Sequence, residues 1–454
     1  MNIMTANAYE LNSAVTEEVA SDNRCRPESP SQWLAWSRLW ILGLCVAAAL
    51  PTNAEGFRNP PPGSFNLGRS GGRIAHIDDA SAIHQNPANL LDLSDPEFQF
   101  SPSVVRIEAD FESPTGQTAT TKDPWKALPN MFLAAPLEQG KLAVGLGITT
   151  PYGLGSTWDE TSSAFNSPMS VLRYTSPYST DLQTVNFNPG LAVKLTESLR
   201  IGAGLDVMWS ELSMKQFYPW GMTFPGARDG RAIAEGDGVG IGGNVGITWQ
   251  FTERQRLAFT FRSAMDIDYR GDFSIDNVPP MAGYMGLGSR SDFTSQLQFP
   301  NIFAIGYGIE LTKNIRVGAD LEWLQFSRFE SLDLDFGHNN VLIPNRSVRQ
   351  DWDDTITVGI GGDWRFAPNW VLRAGYQFYE SPVPDDTFSP TIPDADQNVI
   401  TVGLGYRYKR HAFEIAYGAD FYDEREITDN QNPALNGDYE MTVHLFSLAY
   451  SFRF

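Results

Sequence analysis

Apolar and polar residues alternate one by one along stretches of about ten residues in this chain. The last stretch shows the pattern most clearly, because every second residue from His444 to Phe454 is bulky and the chain ends on that phenylalanine. The same alternation recurs at 142–148, 199–209, 239–249 and 370–378. A two-residue period predicts β-strands with one apolar face. No stretch after Leu50 has the length and apolarity of a membrane-spanning helix.

Charged residues indicate which face of these strands would meet lipid. An arginine or lysine that faces the middle of a bilayer costs about 2–4 kcal/mol, so a spanning strand carries its charges on the other face. In the predicted strands the charged residues fall on the face opposite to the apolar residues. These charged residues are Arg200, Asp206, Arg262, Asp266, Asp268, Arg316, Asp320, Glu322, Arg407 and Glu414. Ile267, which lies between two of them, is predicted to face lipid. A soluble β-sandwich also alternates, but it has no reason to end on an aromatic residue. The pattern therefore predicts an all-β, antiparallel transmembrane barrel of the bacterial outer membrane.

The connections predict the number of strands. Short turns at 138–140, 196–198, 252–254, 312–314, 367–369 and 409–410 alternate with long segments near 112–126, 151–180, 216–236, 272–292, 333–350, 380–397 and 422–440. This alternation predicts about fourteen strands, with short turns on the periplasmic side and long loops outside. A barrel of this width has an open lumen unless something fills it.

Composition and charge narrow the class of protein. The 40 Gly, 12 Trp, 16 Tyr and 28 Phe suit one large barrel with aromatic girdles at the membrane surfaces. The net charge of −21 argues against a nucleic-acid partner, since phosphate binding requires a basic surface. We expect outer-membrane lipid and lipopolysaccharide around the protein, a monomeric state, no cofactor and no bound metal.

Residues 1–54 are predicted to be a signal peptide with a long leader. An apolar run over 39–50 follows Arg38, and a small-residue cleavage site precedes Glu55. Both cysteines of the chain lie in this segment. The secreted product is therefore expected to contain none.

The segment 55–96 is predicted to plug the lumen as a hatch ahead of the barrel, which spans 97–454. Its glycines make a backbone that bends readily. Asp78 or Asp79 caps a short helix, and Asn86-Pro87 ends it. The alternative is an ordinary periplasmic linker.

Short motifs in a fixed order resemble the FadL family of outer-membrane transporters of long-chain fatty acids and hydrocarbons. Asp78-Asp79-Ala80-Ser81 and Asn86-Pro87-Ala88 look like that family's hatch, and the residues 149–154 look like its kinked third strand. Segments at 181–184, 262–263, 381–384 and 392–394 also resemble it, so the likeness covers nearly all of 56–454. The resemblance implies passive transport of hydrophobic small molecules.

The resemblance also implies a lateral exit where the third strand kinks, at Thr150, Pro151, Tyr152 and Gly153. Pro151 has no N–H for the ladder, so strand pairing is expected to fail there. The alternative is a loop that simply starts at Pro151. Burial of a methylene contributes about 0.8 kcal/mol, so an apolar route suits such cargo better than a water-filled pore.

Two predicted outer loops are unusually apolar, which is typical of a binding surface. One loop contributes Phe217, Tyr218, Trp220, Met222 and Phe224, and the other contributes Met281, Tyr284, Met285 and Leu287. The resemblance implies that these loops carry the entry groove. The alternative is that they cover each other as a structural cap.

Recognition of a carboxylate is left open by the sequence. The family's lumenal basic residues fall near Gln216 and Asp333, and neither is basic. Lys215, Gln216, Arg173 and Arg328 are the candidates for a polar head group, and the basic ones are equally explained as solvated or ion-paired side chains. Aromatic and other neutral hydrocarbons therefore stay open as cargo.

Other functions are weighed against transport. Catalysis is not predicted, because none of the five histidines lies in a recognisable Ser–His arrangement. Asp385, Asp386, Asp394 and Asp396 form an acidic loop, for which solvation is a simpler explanation than metal binding. The main rival function is a general diffusion porin, and a structural, adhesin-like barrel is the less favoured alternative.

Overall fold

The computed structural model describes residues 56–285, 289–337 and 343–454. The predicted signal peptide and Leu287 of the predicted groove lie outside these residues. Within the described part of the chain, no helix is both long and apolar enough to cross a membrane. The strands there form one antiparallel sheet that closes on itself.

The sheet contains 23 strand segments in the three described ranges. They are β1 (Glu97–Phe100), β2 (Ser103–Glu112), β3 (Thr118–Thr120), β4 (Trp125–Leu128), β5 (Met131–Leu137), β6 (Leu142–Thr149), β7 (Gly153–Thr157), β8 (Ser179–Lys194), β9 (Leu199–Tyr218), β10 (Gly230–Thr252), β11 (Gln255–Arg262), β12 (Met265–Ile275), β13 (Arg290–Phe299), β14 (Ile302–Thr312), β15 (Ile315–Leu324), β16 (Ser331–Phe336), β17 (Arg346–Arg349), β18 (Thr355–Ala367), β19 (Trp370–Tyr379), β20 (Gln397–Tyr408), β21 (His411–Tyr422), β22 (Arg425–Ile427) and β23 (Gly437–Arg453). Segments that continue one another across a bulge or kink combine into a closed barrel of 14 strands, as predicted.

Helices are short and lie in the hatch and the connections. The α-helices span Ser64–Gly68, Ala82–Gln85, Trp220–Thr223 and Pro280–Tyr284, and the 3₁₀ turns span Pro87–Asp92, Glu138–Gly140, Phe326–Arg328, Asp385–Thr387 and Pro433–Leu435.

The barrel closes between the first and last strands. Glu97 in β1 is opposite Arg453 in β23, and Ser103 in β2 is opposite Ser447. Along β23, inward residues such as Ser447 are buried, whereas outward residues such as Phe446 are exposed. This exposure confirms the predicted lipid-facing parity of the last strand.

All six predicted short turns connect neighbouring strands, namely β5 to β6, β8 to β9, β10 to β11, β14 to β15, β18 to β19 and β20 to β21. The predicted inward charges are also found at Asp206, Asp320 and Glu322, which are buried inside the barrel. These agreements follow from two-residue periodicity, which fixes the face of every residue within an uninterrupted strand.

The predicted parity was wrong at the start of β12. Ile267 is fully buried and points inward, whereas Asp266 and Asp268 point outward and are exposed. The strand is interrupted at Ser263, which exchanges hydrogen bonds with the Gly243 backbone between β11 and β12. An irregularity of this kind shifts the phase and exchanges the two faces.

Candidate functional site

The hatch lies inside the barrel, where residues 61–77 are all buried. Asn86 organises its later part, because its side chain accepts from the Ala88 N–H at 3.1 Å and donates to Ile74 O at 3.0 Å. The same amide donates to Thr248 Oγ1 of the wall at 2.9 Å. Gly202 leaves room for Pro87, since a Cβ added there would lie 2.4 Å from the Pro87 carbonyl carbon.

Asp78 and Asp79 have different roles. Asp79 accepts from the Ser81 N–H at 2.9 Å and from Gln99 Nε2 at 3.2 Å. It therefore fixes the turn that precedes the helix Ala82–Gln85. Asp78 faces the wall, where its carboxylate lies 3.2 Å from an Arg316 nitrogen.

Ion pairs hold the hatch to the wall. They are Arg58–Glu322 and Arg69–Asp363, both at 2.7 Å, together with Arg73–Glu322, Asp92–Arg200 and Asp92–Arg256. Sequence reasoning missed this set, although parity had already marked the inward acidic positions at Asp320 and Glu322. The sequence did offer one indication: the hatch, which had to face these inward acidic residues, contains several arginines.

The third strand is interrupted at the predicted kink, since β6 ends at Thr149 and β7 begins at Gly153. On one side of the interruption, β5 pairs with β6. Beyond it, β4 pairs with β2 and β7 pairs with β8. In the described residues the two edges meet again at the Thr121–Trp158 bridge. The wall therefore has a gap in its hydrogen-bond ladder between β4 and β7, which we call the lateral gap.

The first residues of the hatch supply hydrogen-bond partners to the kinked strand. The N–H of Asn59 donates to Pro151 O at 3.0 Å, and the N–H of Gly153 donates to Phe57 O at 3.0 Å. The Asn59 side chain donates to Thr150 O at 2.9 Å. Hatch and kink are thus joined by a short antiparallel pairing.

Phe57 is the centre of a buried aromatic cluster that sequence reasoning also missed. Its ring lies between 5.2 and 6.1 Å from the rings of Tyr152, Phe299, Phe326, Phe329 and Trp352. All of these side chains are buried. The available signal was a large aromatic residue in a segment otherwise rich in glycine, proline and small side chains.

Two cavities flank this aromatic cluster. The inner cavity, of about 430 Å³, extends along the hatch to the lateral gap and is lined by Tyr152 among others. The outer cavity, of about 340 Å³, lies among the extracellular loops and is lined by Phe329 among others. Both of these residues contact Phe57. The aromatic cluster therefore separates the two cavities and touches each of them.

The two apolar outer loops pack against each other. Trp220 is fully buried in a cluster with Ile275, Ala282 and Ile343, and Tyr218 and Phe224 pack against that cluster. Met222, Met281, Tyr284 and Met285 are exposed, and Phe217 packs instead against the core cluster that contains Phe57. The loops thus form a packed base with methionine and tyrosine side chains on its outer surface.

The four polar-head candidates do not converge on one point. Gln216 points inward, lines the outer cavity and donates to Tyr174 O at 2.7 Å. Lys215 points to the opposite face of β9 and lies 3.9 Å from Glu235. Arg173 pairs with Asp229 at 2.6 Å, and Arg328 pairs with Asp266 at 3.0 Å.

A closed barrel with an apolar exterior, an internal hatch and a gap in its wall defines an outer-membrane transport protein. The model of the family described as outer membrane protein transport protein (OMPP1/FadL/TodX) matches residues 45–454. The chain belongs to this family. Its location in the outer membrane and the predicted resemblance are thereby confirmed.

Individual relatives agree with this assignment. The chain is 26% identical over 453 residues to the long-chain fatty acid transport protein of Escherichia coli, covering 90% of this chain and 98% of that one. It resembles a Pseudomonas aeruginosa FadL homologue with a TM-score of 0.76 at 21% identity, covering 88% and 100% of the two chains. It also resembles the Pseudomonas putida toluene transporter TodX, with a TM-score of 0.72 at 17% identity and coverage of 87% and 99%. The two structural likenesses show a shared fold.

Proposed function

We propose that this protein is a passive route by which hydrophobic small molecules, long-chain fatty acids or hydrocarbons, cross the outer membrane. The observation that carries the proposal is the contact series from Phe329 through Phe57 to Tyr152, which extends from the lining of the outer cavity to the lining of the inner one. The inner cavity continues to the lateral gap. Cargo entering among the outer loops would therefore leave sideways into the membrane.

Solvation supplies the driving force for such a route. Each methylene removed from water contributes about 0.8 kcal/mol, so a long alkyl chain favours the apolar cavities and then the bilayer. The exposed Met222, Met281 and Met285 suit a first contact with varied apolar molecules, because methionine side chains adapt their shape. The proposed entry groove remains the one formed by the two apolar loops.

The aromatic cluster favours a second candidate cargo. Rings around Phe57 offer faces and edges that suit flat aromatic molecules as well as alkyl chains. Toluene-like hydrocarbons are therefore the alternative to long-chain fatty acids. One relative of this chain is named a long-chain fatty acid transport protein, and another is named a toluene transporter.

Uptake by whole cells tests the proposal. A strain lacking transporters of this kind would produce the full-length protein and receive labelled oleate, hexadecane or toluene, with a labelled disaccharide as the hydrophilic control. We expect uptake of at least one hydrophobic compound and none of the disaccharide, with no steady ion conductance in planar bilayers. Steady conductance with disaccharide uptake would instead indicate a general diffusion porin.

A further inference from the structure

Lys126 lies at the lateral gap. It belongs to β4, lines the inner cavity and is partly buried. Gly155, across the gap in β7, makes room for it: a Cβ added to Gly155 would lie 2.2 Å from Lys126 Cε and 2.6 Å from Nζ. The lysine side chain therefore crosses the gap from one edge to the other.

The Lys126 ammonium forms no ion pair with any residue in the described ranges. Lys122, on the same edge, differs in this respect, because its ammonium lies 4.0 Å from Glu160. Asp181 and Asp420 also line the inner cavity. The ammonium thus crosses the gap without an ion pair within 4 Å among the described residues, although Asp181 lies opposite Gly155 in the ladder between β7 and β8.

The wall next to this charge is apolar. Val105 is opposite Lys126 in the ladder between β2 and β4, and Ile107 and Leu128 line the cavity nearby. A cation in partly apolar surroundings is stabilised when an anion is brought to it. An ammonium next to these apolar side chains matches a ligand with one anionic head and one hydrocarbon tail.

We propose that Lys126 binds the carboxylate of an amphipathic acid at the lateral gap, so that the protein favours acids over neutral hydrocarbons of similar length. The inference rests on the proposed function and names its cargo class. The tail of the acid follows the apolar wall while the ammonium compensates the carboxylate. The lysine acts on affinity and selectivity, and no bond of the cargo is made or broken.

Paired uptake assays test this role in cells that produce the full-length protein. Lys126→Met removes the charge and keeps most of the side-chain volume, whereas Lys126→Arg keeps the charge. Lys313→Met, in an exposed periplasmic turn, is the matched control for loss of a lysine. Retained heat-modifiable mobility in electrophoresis shows that each variant still forms the barrel.

At limiting concentration, we expect Lys126→Met to lower labelled oleate uptake at least about fivefold, as loss of a charge-assisted contact does. Hexadecane uptake should not change, and Lys126→Arg should retain most oleate uptake. Unchanged oleate uptake in Lys126→Met overturns the inference, and so does an equal fall for both compounds. A wild-type protein that imports hexadecane but no oleate also overturns it and leaves the proposed function standing. If the wild-type protein imports none of the three compounds, oleate, hexadecane and toluene, the proposed function itself is contradicted.

Discussion

Arg58 of the hatch and Tyr152 of the kinked third strand form an antiparallel β-bridge. The Arg58 guanidinium is at the same time paired with Glu322 of the wall at 2.7 Å. Its neighbour Phe57 contacts the Tyr152 ring at 6.0 Å. The plug of the lumen and the edge of the lateral gap are therefore one connected unit, and a ligand that displaces the start of the hatch would also loosen the kink.

Glu322→Gln should release the hatch. Glu322 is buried and neutralises both Arg58 and Arg73. Removing one partner of a buried ion pair costs about 3–5 kcal/mol, because the remaining charge is left uncompensated. We expect faster proteolysis within 56–96 in folded protein, with Asp268→Asn, an outward and exposed carboxylate, as the matched control. Equal protection in both variants would show that these ion pairs do not hold the hatch.

Gly202→Ala should push the hatch away from the wall. The added methyl would meet backbone atoms of Pro87 and Ala88 at 2.4 and 2.5 Å, which a side-chain rotation does not relieve. Overpacking of this kind costs about 1–3 kcal/mol, so the thermal unfolding midpoint should fall. Gly283→Ala, where nothing lies within 4 Å of the added methyl, should leave it unchanged. A similar midpoint for both variants would contradict the close packing of hatch against wall.

The folded state should lose stability as pH rises through the range in which the buried Asp394 ionises. The Asp394 carboxyl accepts from the Gly56 N–H at 3.0 Å and from Ser381 Oγ at 2.8 Å. Burial raises the pKa of Asp394 from 3.8 to about 7. Because the folded pKa is the higher one, its contribution to stability is full below the unfolded value and is lost as pH rises toward and past about 7.

The thermal unfolding midpoint of the folded protein measures this effect. The midpoint should be lower at about pH 9 than at about pH 5, and Asp394→Asn, which stays neutral, should remove part of the difference. A wild-type midpoint that rises over this range relative to Asp394→Asn would contradict the assigned sign.

Periodicity predicted the barrel and the spacing of its turns, and the family resemblance together with Pro151 predicted the kink, because these features depend on residues close together in the chain. The parity prediction failed at Ile267, because the irregularity at Ser263 exchanges the inward and outward faces of the strand, and no strong feature of the local sequence marks it. It also missed Arg69 with Asp363, which are far apart in sequence and meet only because the hatch folds back inside the barrel. Lys126 escaped notice for the same reason, since its position relative to Gly155 depends on how the two strand edges separate.

Sideways exit is tested most directly by measuring uptake after the lateral gap is filled. Gly155→Phe would place a ring where the flexible Lys126 side chain now crosses the gap. Ile305→Phe, on the lipid-facing surface, adds the same ring elsewhere and is the matched control. With the barrel still folded, Gly155→Phe should lower uptake of oleate and hexadecane alike by at least about tenfold, while Ile305→Phe leaves it unchanged. Wild-type uptake of both compounds through the filled gap would contradict lateral exit.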